Sequence, residues 1–427
     1  VILESPREIA VQVLRRRRHS ADYVEVLMDG ELARAGLSKL DRALCQELVY
    51  GIVRWQRTLD WLITRRTDGR RQGEVLELLL QLGLYQIFWL ERIPAHASVF
   101  ETVELAKRLG WGTKTNFVNA VLRGCLRERE KLAQQLEELK RNDPATGYSH
   151  PAWMVERWQA RWGPEKTGRL LEWDNSPPPT YARRNGLRTN SEELVARWQA
   201  QGVGFSPHQW DWTGEDVMFE LQSHPSLADW EDFQRGNFYV QDASTLLAVQ
   251  VLDPQPGEEI LDLCASPGGK TAFIAERMAN RGKVVAQDLP PRLPRLRENC
   301  ARLGASCVEV VPSGELAGQF DRVLVDAPCS NSGVLRRRVD ARWKIQAEQL
   351  PRLHGEQLEL LRRAGARVKP NGRLVYSTCS LEPEENEEVA RAFLAENAGF
   401  ELERERQLLP FADGVDGAYV ASFRRGK

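Results

Sequence analysis

Residues 259–278, EILDLCASPGGKTAFIAERM, leave this chain few folds to choose from. Ile260, Leu261 and Leu263 form a short apolar run, Pro267, Gly268 and Gly269 form a tight loop, and helical spacing of apolar residues begins near Lys270. A strand, a glycine turn and a helix in that order predict one unit of an open α/β sheet, whose ligands bind beyond the carboxyl ends of the strands. The first helical turn offers unpaired backbone N–H groups, and adjacent glycines let a ligand approach the main chain. A nucleotide-like cofactor is the expectation.

Two better-known loops do not fit. Gly269-Lys270-Thr271 has the tail of a phosphate-binding P-loop, but that motif requires glycine where this chain has Cys264. The dinucleotide pattern G-x-G-x-x-G is absent as well. The next apolar run, residues 283–286, ends at Gln287-Asp288 and sets a carboxylate at the end of a second strand, about 20 residues past the glycines. There it can accept both hydroxyls of a ribose. Adenosine without a pyrophosphate cradle points to S-adenosylmethionine.

A length of 427 residues suggests about three domains. The formal net charge is −1, with 59 basic against 60 acidic side chains, so any surface for nucleic acid must be local. Arginine clusters occur at 15–18, 65–66, 70–71 and 336–338. Seven cysteines without a C-x-x-C argue for a reducing compartment and against structural zinc. No apolar run reaches membrane-span length and no signal peptide opens the chain, so a cytoplasmic, soluble monomer is expected, with no membrane partner.

Residues 1–140 read as amphipathic helices. Ser5-Pro6 and Ser38 with Asp41 are start signals, and 75–90 is apolar enough for a central buried helix. The strings DRALCQELVYGIVR, LQLGLYQIFWLERIP, FETVELAKRLG and NFVNAVLR resemble the helical RNA-binding domain of the antitermination factor NusB. Residues 141–236, rich in tryptophan and interrupted by Pro177 to Pro179, predict a small α+β domain with strands at 180–185 and 217–221 and a helix at 191–201. Residues 237–427 alternate strands with helices, helices at 347–368 and 384–396 among them, and predict a mainly parallel sheet, Rossmann-like in kind.

Two further loops follow strands of that sheet. Asp326-Ala327-Pro328-Cys329-Ser330 follows one and Ser377-Thr378-Cys379-Ser380 another, so both fall on the edge that carries the glycine loop. Two thiols, an acid and S-adenosylmethionine suit methylation of a pyrimidine at carbon 5. A thiolate adds to carbon 6, a carboxyl group holds or protonates N3, carbon 5 takes the methyl, and a second thiol or a water removes the proton. A free thiol is mostly protonated at neutral pH, so the nucleophile needs local activation, for which Lys270 and backbone dipoles are candidates.

The strings LDLCASPGGKT, VDAPCSNSGVLRRRVDARW and YSTCSLEPEENEEV resemble the motifs of the RNA cytosine-5 methyltransferases. With the NusB-like front, the resemblance spans nearly the whole chain. It implies that Cys379 is the nucleophile, Cys329 assists product release, Asp326 binds the cytosine edge and Lys270 orients Asp326. It also implies that Cys264, Ala265, Ser266, Pro267, Gly268, Gly269 and Lys270 hold S-adenosylmethionine with Asp288 and Asp326, and that the substrate is small-subunit ribosomal RNA. Where the family commonly has Gly-Asp after the third strand, this chain has Val311-Pro312-Ser313-Gly314, which passes the adenine contact to Ser313 or to backbone. A transfer RNA substrate and a non-catalytic RNA-binding role in ribosome assembly are the alternatives. Arg336 to Arg338 and the helical front are expected to supply phosphate contacts.

Overall fold

The computed structural model describes residues 5–314 and 317–427. They form two compact units, and the division is not a single cut: residues up to Ser176 are joined by Leu335–Ile345, while Pro177–Val334 and Gln346–Lys427 make the second unit.

The first unit is all helix. Ser5 caps the helix Pro6–Arg17 by accepting from the Glu8 amide, and Ser38 caps Lys39–Arg54 by accepting from the Asp41 amide. Such caps contribute about 1 kcal/mol each. The helix Glu74–Trp89 is apolar all round and is buried along most of its length, with Gln56–Arg66, Ala95–Arg108 and Thr115–Arg127 against it. Close approach has a sequence cause: a Cβ on Gly51 would lie 1.9 Å from the Tyr85 ring. Two further elements complete the unit, from residues that the sequence reading gave to the 141–236 and 237–427 domains. One is Ala152–Asn175, broken at Gly163 (φ 80°) before Pro164. The other is the excursion Leu335–Ile345, whose Val339 joins the helical core and whose Arg342 is fully buried, donating to Ser149 O at 3.3 Å, Asp174 O at 3.0 Å and Asn175 Oδ1 at 2.9 Å.

The second unit holds two sheets. The smaller is antiparallel, in the order β2-β3-β1-β4, with β1 at Thr180–Arg184, β2 at Gly204–His208, β3 at Met218–Ser223 and β4 at Phe238–Val240. Its core is aromatic: Trp198, from the helix Ser191–Ala200, has the rings of Phe205, Phe219, Trp230 and Phe238 within 5.6 Å centroid to centroid. These tryptophans are core residues.

The larger sheet comprises β5 (Glu259–Leu263), β6 (Lys283–Asp288), β7 (Val308–Pro312), β8 (Phe320–Asp326), β9 (Val368–Thr378), β10 (Phe400–Leu408) and β11 (Ala418–Arg425). Its order is β10-β11-β9-β8-β5-β6-β7, parallel from β9 to β7, with β11 antiparallel to both neighbours. From β5 the chain moves outward through β6 and β7, then returns to β8 on the other side of β5. That reversal makes the carboxyl end of β5 the switch point where such sheets bind ligands. The register pairs Leu263 with Gln287 and Val325, and Asp326 with Ser377, so the loops after β5, β6, β8 and β9 open on one edge.

Candidate active site

The glycine loop is shaped by backbone that few residues accept. Cys264 has φ 60° and Gly268 has φ 102° as the chain turns into the helix Gly269–Arg277. A Cβ on Gly269 would lie 2.6 Å from the Tyr239 ring, so the loop is packed closely from behind. Arg183 on β1, fully buried, donates to Gly269 O at 3.0 Å and lies over the Phe273 ring at 4.5 Å. The sequence reading did not single out Arg183, because an arginine in a short strand of a separate sheet carries no local sign of its partner.

Asp288, at the end of β6, accepts from Ser266 N at 2.8 Å and from Leu289 N at 2.7 Å. The carboxylate therefore also fixes the loop. Ser313 N donates to Asp288 O at 2.7 Å, while Gln287 Nε2 donates to Pro312 O and Gly314 O, which orders the end of β7 up to the edge of the described residues.

Three carboxylates surround this loop. Asp262, under it, accepts from Thr271 Oγ1 at 2.6 Å, and its buried Oδ1 has no hydrogen-bond partner among the described residues. Burial, followed by the charges of Asp326 and Asp288, pushes its pKa up to about 7 against the Thr271 hydrogen bond. Cys264 is pushed up to about 12 by burial and the same three acids, so it stays a thiol. An acidic cradle with an orphaned buried acceptor repels a pyrophosphate and suits a ligand that carries cationic sulfonium and ammonium groups and a ribose. The residues present fit S-adenosylmethionine.

Beyond β8 and β9 lies the reactive cluster. Lys270 Nζ donates to Asp326 Oδ2 at 2.7 Å and Ser377 Oγ donates to Asp326 Oδ1 at 2.7 Å, so both carboxylate oxygens are held. Burial opposes the Lys270 charge, but Asp326, Cys379 and Asp262 together outweigh it and raise its pKa. Cys329 Sγ and Cys379 Sγ are 3.2 Å apart, both partly exposed. Cys379 Sγ also lies 3.4 Å from Asn331 Oδ1, and Asn331 is held at φ 61° with Nδ2 donating to Cys329 O at 2.9 Å. Asparagine tolerates that left-handed backbone. The Cys329 pKa is raised well above the usual thiol range, first by its hydrogen bond with Cys379, then by burial and by the charges of Cys379 and Glu385.

All the residues that the sequence reading placed at the site thus sit on one edge of one sheet. Arg336 to Arg338 group with the first unit, where Arg336 is buried with its guanidinium 3.8 Å from the Trp173 ring centroid and Arg338 lies beside Tyr23. Arg336 is a packing residue, which corrects the expectation that it faces RNA. Among the described residues no helix is long and apolar enough to cross a membrane.

A sheet of this order, with an acidic cradle at its switch point, defines an S-adenosylmethionine-dependent methyltransferase. Residues 249–424 match the family described as 16S rRNA methyltransferase RsmB/F, residues 4–127 the NusB family, and residues 150–214 the ferredoxin-like domain of RsmF/B-like methyltransferases. A Bacillus subtilis protein named probable ribosomal RNA small subunit methyltransferase B is 34% identical over 99% of both chains. The crystal structure of PH0851 shares the fold over 99% of both chains with a TM-score of 0.79 at 24% identity. A methyltransferase homologue from Pyrococcus horikoshii is 32% identical, with a TM-score of 0.58 over 68% of this chain and 99% of its own. The chain belongs to the 16S rRNA methyltransferase RsmB/F family.

Proposed function

We propose that this protein methylates carbon 5 of a cytosine in 16S ribosomal RNA, with Cys379 as the nucleophile. The observation that carries the reading is the pair of thiols 3.2 Å apart at the ends of adjacent parallel strands, beside a carboxylate held on both oxygens. Carbon 5 of cytosine is a poor nucleophile until a thiolate adds to carbon 6. In this reading Cys379 makes that bond and Asp326 holds the N3 edge of the ring. Bound S-adenosylmethionine supplies an electrophilic methyl group.

The 3.2 Å separation puts Cys329 within reach of the same base once Cys379 is bonded to carbon 6. In this reading Cys329 releases its proton to water and, as thiolate, takes the proton from carbon 5. Elimination expels Cys379 and frees the product.

For the cofactor, Asp288 is proposed to hold the ribose, with residues 264–270 forming the rest of the cradle. Asp288→Ala is expected to weaken S-adenosylmethionine binding by about 1.5–3 kcal/mol, the range for a charge-assisted hydrogen bond. Unchanged affinity in titration calorimetry would remove the assignment.

For the RNA, support comes from a groove of about 610 Å³ in the helical unit, lined by Phe100, Lys107, Asn116, Asn119, Arg123 and Arg127 among others, without a carboxylate in its wall. In a chain with 60 acidic side chains that local imbalance favours phosphate, and exposed Phe100 offers a stacking face. Point substitution suits this test better than removing residues 1–140, because the helices cover Val339. The experiment is to methylate 16S rRNA in vitro and map 5-methylcytosine. One cytosine is expected, and label on another base or only on transfer RNA would overturn the reading. The Arg123→Ala/Arg127→Ala double variant should modify the same cytosine with roughly tenfold weaker RNA binding and a salt slope shallower by about 1.4. An unchanged slope would release the groove from this role.

A further inference from the structure

Beneath the two thiols lies a buried polar cluster that the chemistry above does not use. Glu385 is fully buried. Its Oε1 accepts from Ser330 N at 2.8 Å and from Gln357 Nε2 at 2.9 Å, and its Oε2 accepts from Ser380 Oγ at 2.5 Å. Ser330 directly follows Cys329 and Ser380 directly follows Cys379. One carboxylate therefore grips both cysteine loops, each at the residue after its thiol.

The surrounding bonds tighten the same grip. Gln357 Nε2 also donates to Pro328 O at 2.9 Å, just before Cys329. Ser380 Oγ lies 3.1 Å from Ser330 Oγ and 3.2 Å from Ser332 Oγ, and Gly333 N donates to Cys379 O at 2.9 Å. The Tyr376 hydroxyl donates to Glu385 O at 2.6 Å, which anchors the carboxylate's own backbone to β9.

A buried carboxylate is costly unless its hydrogen bonds are complete, and apolar packing often stabilises a fold at least as well. What Glu385 adds is geometric. The sheet ladder fixes the two strands only as far as Asp326 and Ser377, whereas the thiols stand three and two residues further on, in loops without a shared ladder.

We propose that Glu385 is a positioning residue that sets the separation of the Cys329 and Cys379 sulfurs through Ser330 and Ser380, so that one base lies within reach of both. The catalytic consequence rests on the reading of these thiols as nucleophile and proton acceptor. The geometric consequence stands without it.

The test uses the full chain and two readouts. Diamide takes one hydrogen from each of two thiols and leaves a disulfide, so its rate of producing the Cys329–Cys379 bridge, followed by mass spectrometry, reports their juxtaposition without RNA or cofactor. In Glu385→Gln that rate should fall at least about tenfold. The kcat for methyl transfer should fall roughly 10- to 100-fold, the scale of an ångström-sized misplacement, with RNA KM and S-adenosylmethionine affinity within about twofold. Ser380→Ala, which removes one hydroxyl and keeps the carboxylate, should show the same split if Glu385→Gln fails to fold. Bridge formation at the wild-type rate overturns the proposal, including where kcat, cofactor affinity and melting temperature fall together as for a merely structural residue. If wild type methylates no RNA while the bridge slows in the variants, the functional reading fails and the positioning role stands.

Discussion

Cys379→Ala is expected to yield neither 5-methylcytosine nor a protein–RNA adduct, with methyl transfer lowered on the order of 10⁴-fold or more. The size follows from chemistry: without a sulfur to add to carbon 6, carbon 5 never becomes nucleophilic, and removing the nucleophile of a covalent mechanism costs most of the rate enhancement. The alanine deletes one partly exposed sulfur at the mouth of a loop held by Ser380, Glu385 and Asn386, all of which remain. Folding, cofactor affinity and RNA affinity should therefore persist. Cys329 is not expected to substitute, because of the two thiols it is Cys379 whose charge acts on Lys270. Methylation within tenfold of wild type, measured with labelled S-adenosylmethionine on 16S rRNA, would remove Cys379 from the role.

The elements that carry the site were legible because their signals are local. An apolar run, a glycine turn and a helix adjoin one another at 259–278, and Asp288, Asp326 and Cys379 each end or follow a strand, so a parallel sheet brings them to one edge without further information. Elsewhere the signals misled for physical reasons. β2 contains Pro207, which argues against a strand, but β2 is an edge strand paired only with β3 and can spare the amide. Residues 347–368 read as one helix. The helix Leu350–Gly365 instead gives way to β9 at Val368, and Pro370-Asn371-Gly372 turns within that strand, with Asn371 at φ 59°.

Charge was the hardest feature to read. Arg336 and Arg342 look like solvated residues in an arginine-rich run, but their partners, Trp173, Asp174 and Asn175, lie more than 160 residues away in sequence. Glu385 sits among acids in LEPEENEEV, where any one would pass for surface. Its burial depends on Asn386, whose φ −115° and ψ −103° separate the turn Pro383–Glu385 from the helix Glu387–Glu396 and let the carboxylate face inward. A reading that continues the helix back to Glu384 misses that break. Long-range partners of polar side chains, rather than strands and helices, are what a single sequence leaves out.

Cys329→Ala is expected to separate the two thiols, because in the proposed roles it spares the attack and removes the later step. Cys379 keeps its sulfur, Asn331 at 3.4 Å and the network behind it, so the bond to carbon 6 should form and the methyl should be transferred. The proton on carbon 5 would then have no thiolate to take it. The methylated cytosine should remain bonded to Cys379 and the protein should migrate as an RNA adduct that survives denaturing electrophoresis. Turnover should drop on the order of 10²–10³-fold, in line with loss of a positioned general base, while a single round of methyl transfer stays close to wild type. The comparison is a denaturing gel of wild type and both variants with 16S rRNA and labelled cofactor, run beside product release. An adduct in Cys379→Ala and none in Cys329→Ala would reverse the roles. Wild-type turnover by Cys329→Ala, with no adduct, would remove Cys329 from this role and give proton removal to water.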